Sequence, residues 1–380
     1  MRLGDICSKI GSGATPRGGK EAYSASGIPI IRSQNVLDWS FSSNGLAYLN
    51  DEQARTLSNV EVHQGDILLN ITGDSVARAC IVPSDVIPAR VNQHVAILRP
   101  KEKANATFIL AWLQTNKDLL LKLASSGATR NALTKRMLEG LDINLPSIDI
   151  QNHIAALISL IQSKINLNIK LNGYLLELAT TRFEQALFKS NRVVRLGDIV
   201  KLEDSKRVPL NSRDRDARKG PYPYYGATSI MDYVDDYLFD GIRVLLGEDG
   251  SVIDESGRPI LQYVWGKYWV NNHAHILAAA SDYSLEAIYI ALQRTPISHI
   301  VTGAVQRKIS QRNLNKLKLE MPDAKSLEYL QDIFAAYRCN CEENRGLVSL
   351  RDALLPKLMS GEIDVSKIDG AQLNSHLAEY

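Results

Sequence analysis

Arg2-Leu3-Gly4-Asp5-Ile6 stands near the N-terminus, and the same five residues return as Arg195-Leu196-Gly197-Asp198-Ile199, 193 positions later. Val91-Asn92-Gln93-His94 returns as Val270-Asn271-Asn272-His273 at an offset of 179. Gly127-Ala128 matches Gly303-Ala304, and Pro146 matches Pro322, both at 176. Several matches in one order, with a drifting offset, mark an internal duplication. The drift gives the first copy about 17 extra residues, placed in surface loops that tolerate insertion.

At 380 residues the chain is long enough for two or three domains. Each half carries a segment of mixed character followed by a long helical one. Ile28–Ile31, Ile67–Leu69, Val95–Leu98, Val244–Leu246 and Ile276–Leu277 read as strands between Gly/Pro punctuation. Thr107–Ser125 and Leu285–Leu292 read as helices. The expected division is a first domain over 1–148, a helix over 149–190, a second domain over 191–324, a second helix over 325–362 and a flexible tail over 363–380.

The helical segments share one heptad phase. Ile154, Ile158, Ile161, Ile165, Asn168, Asn172 and Leu175 step by four and three, and the same steps run through Leu330, Phe334, Tyr337, Cys341, Asn344, Val348 and Arg351. Such a seam is made for another helix. The expected fold class is therefore α+β: two similar mixed α/β domains separated by two long antiparallel coiled-coil helices, with pseudo-twofold internal symmetry. Asn168 and Asn344 either lie in the seam, where a buried polar residue fixes register, or face solvent.

Composition sets outer limits. With 45% hydrophobic and 23% charged residues the chain is an ordinary globular one. No apolar run reaches about 18 residues, so no transmembrane helix is expected. The N-terminal stretch has no apolar signal core, so a cytoplasmic protein is expected. Cys7, Cys80, Cys339 and Cys341 are too few and scattered for a disulfide framework or a zinc site. A net charge of +2 neither announces nor excludes a nucleic acid.

Catalytic signatures are missing. Gly11–Lys20 invites a phosphate-loop reading, but Ala14 replaces a required glycine and Glu21 the required Ser/Thr. It reads instead as a basic surface loop with Arg17 and Lys20 as candidate phosphate contacts. No G-x-S-x-G, H-E-x-x-H or G-x-G-x-x-G is present. Asp204-Ser205-Lys206 resembles the end of a nuclease motif without its upstream acid. His94 and His273 read as structural or hydrogen-bonding residues, and no metal site or catalytic residue is expected.

Charge is uneven along the chain. Residues 191–220 hold nine Lys/Arg against five acids, and Pro221-Tyr222-Pro223-Tyr224-Tyr225 follows. Basic residues beside aromatics fit phosphate anchoring and base reading. Lys206, Arg207, Arg213, Arg215, Arg218, Lys219, Tyr222, Tyr224 and Tyr225 are the candidates there. A solvated loop is the alternative for Arg213–Lys219. The matching place in the first half is read as Arg32, Ser33, Gln34 and Asn35, suited to bidentate base contacts. Arg130-Asn131 and Gln306-Arg307-Lys308 follow equivalent glycines and are candidate phosphate grips.

With these residues in view, the chain resembles the specificity (S) subunit of type I restriction–modification enzymes over essentially its whole length. The resemblance rests on Arg2–Ile6, on Gly13…Thr15-Pro16 leading to Gly27–Arg32, and on Leu145-Pro146…Gln151…Ile154 opening the helix. The tail Leu350-Arg351-Asp352-Ala353-Leu354-Leu355-Pro356-Lys357-Leu358-Met359-Ser360-Gly361-Glu362-Ile363 is its most specific part. It departs at Met321–Leu327, where the usual Gln after the proline is absent. The resemblance implies two target-recognition domains reading double-stranded DNA, an asymmetric bipartite target and no catalysis by this chain. It also implies two docked methyltransferase subunits carrying S-adenosylmethionine, and restriction subunits further out. Two alternatives stay open on the residues: a duplicated protein-interaction scaffold, and a divergent DNA-modifying enzyme.

Overall fold

Ile67, Leu68 and Leu69 are consecutive apolar residues, the pattern of a strand covered on both faces. In the computed structural model, which describes every residue except 17, 19–21, 126–130, 304–306 and 366–380, all three are fully buried. Two compact units are present: Met1–Leu167 with the chain from Glu343 onward, and Asn168–Glu342.

The first unit contains β1 (Cys7–Ser12), β2 (Ile28–Ile31), β3 (Ala47–Leu49), β4 (Glu61–Val62), β5 (Ile67–Asn70), β6 (Ala79–Ile81), β7 (Ala89–Val91) and β8 (Val95–Pro100). They form two four-stranded sheets, β1-β8-β5-β6 and β3-β2-β7-β4. β2 and β7 run parallel, and every other pairing in these sheets is antiparallel. Ile67 and Leu69 face one core with Phe108, Leu113 and Ile158. Leu68 faces the other, with Ile31, Val91 and Ile97. Alternation along one strand thus joins two cores.

The second unit repeats the plan with β9 (Arg192–Arg195), β10 (Val200–Leu202), β11 (Lys219–Tyr225), β12 (Ile230–Val234), β13 (Phe239–Asp240), β14 (Arg243–Gly247), β15 (Leu261–Val264), β16 (Lys267–Val270) and β17 (Ala274–Ala279). Its sheets are β10-β17-β14-β15 and β12-β11-β16-β13, with β11 and β16 parallel. Ile31 sits beside Val91 as Tyr225 sits beside Val270. That register corrects one expectation: Arg32–Asn35 is equivalent to Gly226–Ser229, not to the basic stretch before Tyr225. Asn105 and Ser284 cap the matching helices Ala106–Thr115 and Leu285–Arg294.

The repeated pentapeptide has a structural cause. Leu3, Ile6, Leu196 and Ile199 are buried in single helical turns. A Cβ on Gly4 would stand 3.2 Å from the Glu139 carbonyl oxygen, and one on Gly197 would stand 2.9 Å from that of Asn315. The glycine permits close approach of backbone to backbone.

Two long helices complete the plan, Ile148–Lys189 (the central helix) and Tyr329–Ser360 (the distal helix). The first unit holds the start of the central helix against the end of the distal one: Gln162 pairs with Arg351, and the Ile165 carbonyl accepts from Asn344. The second unit holds the reverse: Asn172 meets Tyr337, Asn340 and Cys341, and Arg182 lies over Tyr329. Within each unit the helices are antiparallel. Ile154, Ile158, Ile161, Ile165, Asn168, Leu330 and Phe334 are buried, and Tyr337, Cys341, Asn344 and Val348 are partly so. Asn168 is therefore buried in the seam, and Asn344 is half-buried, its amide donating to the Ile165 carbonyl.

The departure at Met321–Leu327 has a local reason. Gln151 ties the central helix to its domain, accepting from the Asn105 amide and donating to the Lys103 and Pro146 carbonyls. At the same offset as Pro146 and Pro322 stands Leu327, buried in the second unit's core. Apolar packing replaces the polar tie, and a 3₁₀ turn over Ala324–Leu327 precedes the distal helix.

Candidate nucleic-acid interface

The repeated Val-Asn-x-His builds the same turn twice. The Asn92 carboxamide oxygen accepts from the His94 amide, as that of Asn271 does from His273, at 3.1 and 2.8 Å. The Asn92 and Asn271 amides in turn donate to Ile31 and Tyr225 carbonyls. Both Asn are buried, so they lock the turn, and the next two residues project outward. His94 meets Thr72 at 2.6 Å and His273 meets Asp249 at 2.7 Å. The Gly73 amide donates to Asn131, and the Gly250 amide to Arg307.

Each domain thus presents one corner made of equivalent pieces with different side chains. In the first domain they are Thr72, Gln93, His94 and Asn131. In the second they are Asp249, Asn272, His273, Arg307 and Lys308. Gly13 belongs to the first corner: a Cβ there would lie 1.9 Å from the Val91 carbonyl oxygen. Ser33 and Gln34 lie close by, since the buried Asn70 amide donates to the Ser33 and Val36 carbonyls. Such corners offer donors and acceptors without an apolar surface, the chemistry of base-edge and phosphate contact. The sequence does not single out Thr72, Gln93, Asp249 or Asn272 as site residues; the repeated tetrapeptide marks His94 and His273 as structural or hydrogen-bonding residues, and both hydrogen-bond here.

Beneath the second corner lies a buried ionic network. Asp204 accepts from His275 Nδ1 at 2.6 Å, from the Ile276 amide at 2.9 Å and from Gln311 at 2.6 Å. His275 Nε2 faces the Ile309 carbonyl at 2.8 Å. Glu248 accepts from Arg207 at 2.6 Å and pairs with Lys308 at 3.2 Å. Burial works against the Asp204 carboxylate, but the His275 and Ile276 hydrogen bonds and the Arg207 charge hold it below its ordinary pKa. Glu203 and Glu248 are likewise depressed, despite burial, by Lys206 and Arg243 for Glu203 and chiefly by Arg207, His275 and Lys308 for Glu248. Donor atoms of Asp204, Glu248 and His275 come within 4.8 Å of one another, as metal ligands would. Their hydrogen-bonding capacity is spent on protein partners, and two cations, Arg207 and Lys308, already neutralise Glu248. This is a closed brace, not an open coordination site.

Several residues expected to touch DNA serve the fold instead. Asn35 is fully buried, its amide donating to the Ser42 and Asn44 carbonyls. Arg32 reaches the Gly45 carbonyl and lies over Tyr23. Tyr224 and Tyr225 are core residues because both faces of β11 are covered: Tyr224 packs with Val234 and Trp269, and Tyr225 with Phe239 and Tyr268. Arg207 is committed to the brace. Arg215 pairs with Asp232, Arg218 with Asp235, and Lys219 with Asp216 and Asp232. Arg215 and Arg218 also stack on Tyr224 and Trp269. The basic stretch is thus neutralised by acids from the neighbouring strand and turn. Tyr222 packs on Tyr237 at 5.1 Å. Lys206 is exposed, although it pairs with Glu203. Gln34 is exposed and Ser33 partly so. Arg213 and Arg307 are exposed and make no ion pair among the described residues. Arg17, Lys20, Arg130 and Gln306 lie outside the described residues.

The first unit carries a second surface of interest. Leu157, Leu160, Leu167, Leu347, Leu350 and Leu354 line an open groove of about 660 Å³ between the two helices, with the Lys164–Glu343 ion pair at its edge. Among the described residues, no helix is long and apolar enough to cross a membrane.

A family model of the type I restriction modification DNA specificity domain matches residues 1–175 and 189–337, one copy on each half. The chain belongs to the type I DNA specificity family. The MjaIX specificity subunit of a type I restriction enzyme from Methanocaldococcus jannaschii is 22% identical over 411 residues, covering 97% of this chain and 94% of that one. A Haemophilus influenzae protein provisionally assigned as a type I specificity subunit is 30% identical over 127 residues, about a third of each chain (33% and 32%). The crystal structure of a type I restriction-modification S subunit from M. genitalium superposes with a TM-score of 0.56 at 15% identity, over 94% of this chain and 95% of that one. The specificity-family fold, with its duplicated recognition domains and long helices, is the fold of this chain.

Proposed function

We propose that this chain is the DNA-reading and assembly subunit of a type I restriction–modification enzyme, and that it performs no catalysis itself. The observation that carries the reading is the pair of equivalent corners with unlike side chains, Thr72/Gln93/His94/Asn131 against Asp249/Asn272/His273/Arg307/Lys308. Equivalent scaffolds with different donors and acceptors select different bases. The target is then bipartite, and its two halves differ in sequence. Exposed Lys206, Arg213 and Arg307 of the second domain supply sequence-independent phosphate contacts. Two methyltransferase subunits bring S-adenosylmethionine, and restriction subunits join the assembled complex in the cytoplasm. The leucine groove between the helices is the docking place for one methyltransferase subunit, since it offers an apolar face flanked by charge.

The test is single-molecule mapping of methylated bases in cells with and without this gene. Loss of one bipartite, asymmetric methylated motif on deletion is the expected result. An unchanged methylome, with the partner methyltransferase expressed, overturns the reading.

A further inference from the structure

The two recognition domains are fastened to the helices by different chemistry. In the second unit, Glu286 at the start of helix Leu285–Arg294 is 4% exposed. It accepts from the Tyr263 hydroxyl of β15 at 2.6 Å and faces Arg338 of the distal helix at 3.4 Å. Arg338 also donates to the Tyr263 hydroxyl. Phe334 and Tyr289 pack on the Tyr263 ring, with centroids 4.9 and 5.7 Å away. Burial, reinforced by Glu286, pushes the Tyr263 hydroxyl up, which keeps its proton in place for donation.

Register identifies the corresponding place in the first unit. Ile81 opposes Ile67 as Tyr263 opposes Val244. Counting from the capping residues Asn105 and Ser284, Thr107 matches Glu286 and Leu110 matches Tyr289. On the helices, Ile158 matches Phe334 and Gln162 matches Arg338, at the 176 offset. Ile81, Thr107, Leu110, Ile158 and Gln162 line a groove of about 180 Å³ there, with Trp39. Arg351 donates to Gln162 and stacks on Trp39 at 4.9 Å. At this place the first domain meets its helices through apolar groups, the Gln162 amide and the Arg351 guanidinium, and no carboxylate lines the groove. The second uses a carboxylate, a phenol and a guanidinium that are satisfied only at one geometry.

We propose that Glu286, Tyr263 and Arg338 are positioning residues that fix the angle of the second recognition domain on the distal helix, and thereby set how strictly the complex discriminates the length of the DNA spacer. This rests on the DNA-reading function proposed above. A buried, hydrogen-bonded charge cluster is poorly suited to adding stability but well suited to selecting one arrangement, because a tilted domain strands a desolvated carboxylate. Apolar burial is non-directional, so a small rotation costs it less than it costs a buried charge that must keep its hydrogen bonds.

The experiment uses the assembled complex with its methyltransferase subunits. Methylation rates are compared on duplexes carrying both half-sites at the native spacing and at spacings one base pair shorter and longer. Arg338→Gln and Tyr263→Phe are the variants, the latter removing only a hydroxyl so that the fold survives if Arg338→Gln does not. Gln162→Ala in the first unit is the control. Arg338→Gln or Tyr263→Phe is expected to cut the preference for native spacing by about tenfold, equivalent to about 1.4 kcal/mol, with half-site preference retained. Arg338→Lys is expected to restore part of it, and Gln162→Ala to leave it intact. Full spacer discrimination in a folded Arg338→Gln or Tyr263→Phe complex overturns the proposal. So does equal loss of spacer and half-site preference, which is the mark of general unfolding. A wild-type complex without any sequence preference instead overturns the DNA-reading function beneath it.

Discussion

Arg207 shows how a residue's surroundings redefine it. In the sequence it stands in a basic run, yet its guanidinium is inserted among the Glu248 and Asp204 carboxylates and the Asp204, Asn272 and Ala274 carbonyls, 13% exposed. Arg207→Met leaves Glu248 with Lys308 and Asp204 with His275, but removes charge-assisted hydrogen bonds, and is expected to destabilise the second domain by about 2 kcal/mol, read by thermal unfolding of the complex. The salt slope of DNA binding is expected to stay unchanged once folding is corrected for. Arg307→Ala should do the opposite, flattening that slope by about one unit with the midpoint unmoved. The same network sets an acid limit. Folded-state pKa values of Glu203, Asp204 and Glu248 lie below their unfolded values. Their contribution is therefore complete above about pH 4–5 and is lost as pH falls through the depressed folded values. Circular dichroism against pH should show the wild type losing stability there, and Asp204→Asn should start lower and lose less.

At the scale of elements, the helices carry two kinds of information. Ile158 and Phe334 supply burial, while Asn172 supplies register through Tyr337, Asn340 and Cys341. Asn172→Leu is expected to leave the thermal midpoint equal or higher, because a buried amide is exchanged for apolar packing, while hydrogen exchange along the helices broadens. Leu350→Asp, half-exposed in the groove, should spare folding and abolish methyltransferase co-purification. The heptad phase was legible because helix seams repeat locally. The strands and the duplication were legible for the same reason, as short apolar runs and repeated words. The partners of the basic stretch were legible only in part: Asp216 lies three residues from Lys219 in the chain, whereas Asp232 and Asp235 arrive across a strand pairing. The corners proposed for recognition were half legible: the repeated Asn-x-His marked the turn, but which side chains leave it depended on Asn92 and Asn271 being buried.

At the scale of the whole molecule, duplication makes the halves modular. Each domain has its own cores and the same sheet order. Grafting a different recognition domain over residues 1–145 is expected to change one half of the methylated motif and leave the other intact, as read by methylome mapping. A change in both halves would show that the domains do not read DNA independently. The halves are not equal in another respect. The second unit is one uninterrupted stretch, Asn168–Glu342, whereas the first unites the chain before it with the chain after it. Leu355 and Leu358 are buried in the core that also contains Leu3 and Ile158. During synthesis, then, the domain made first is finished last: it waits on the ribosome with part of its apolar core uncovered until residues beyond 355 emerge, while the later domain closes ahead of it. A stop codon shortly before Leu355 should therefore cripple the N-terminal domain, whose own coding region is intact, and spare its neighbour.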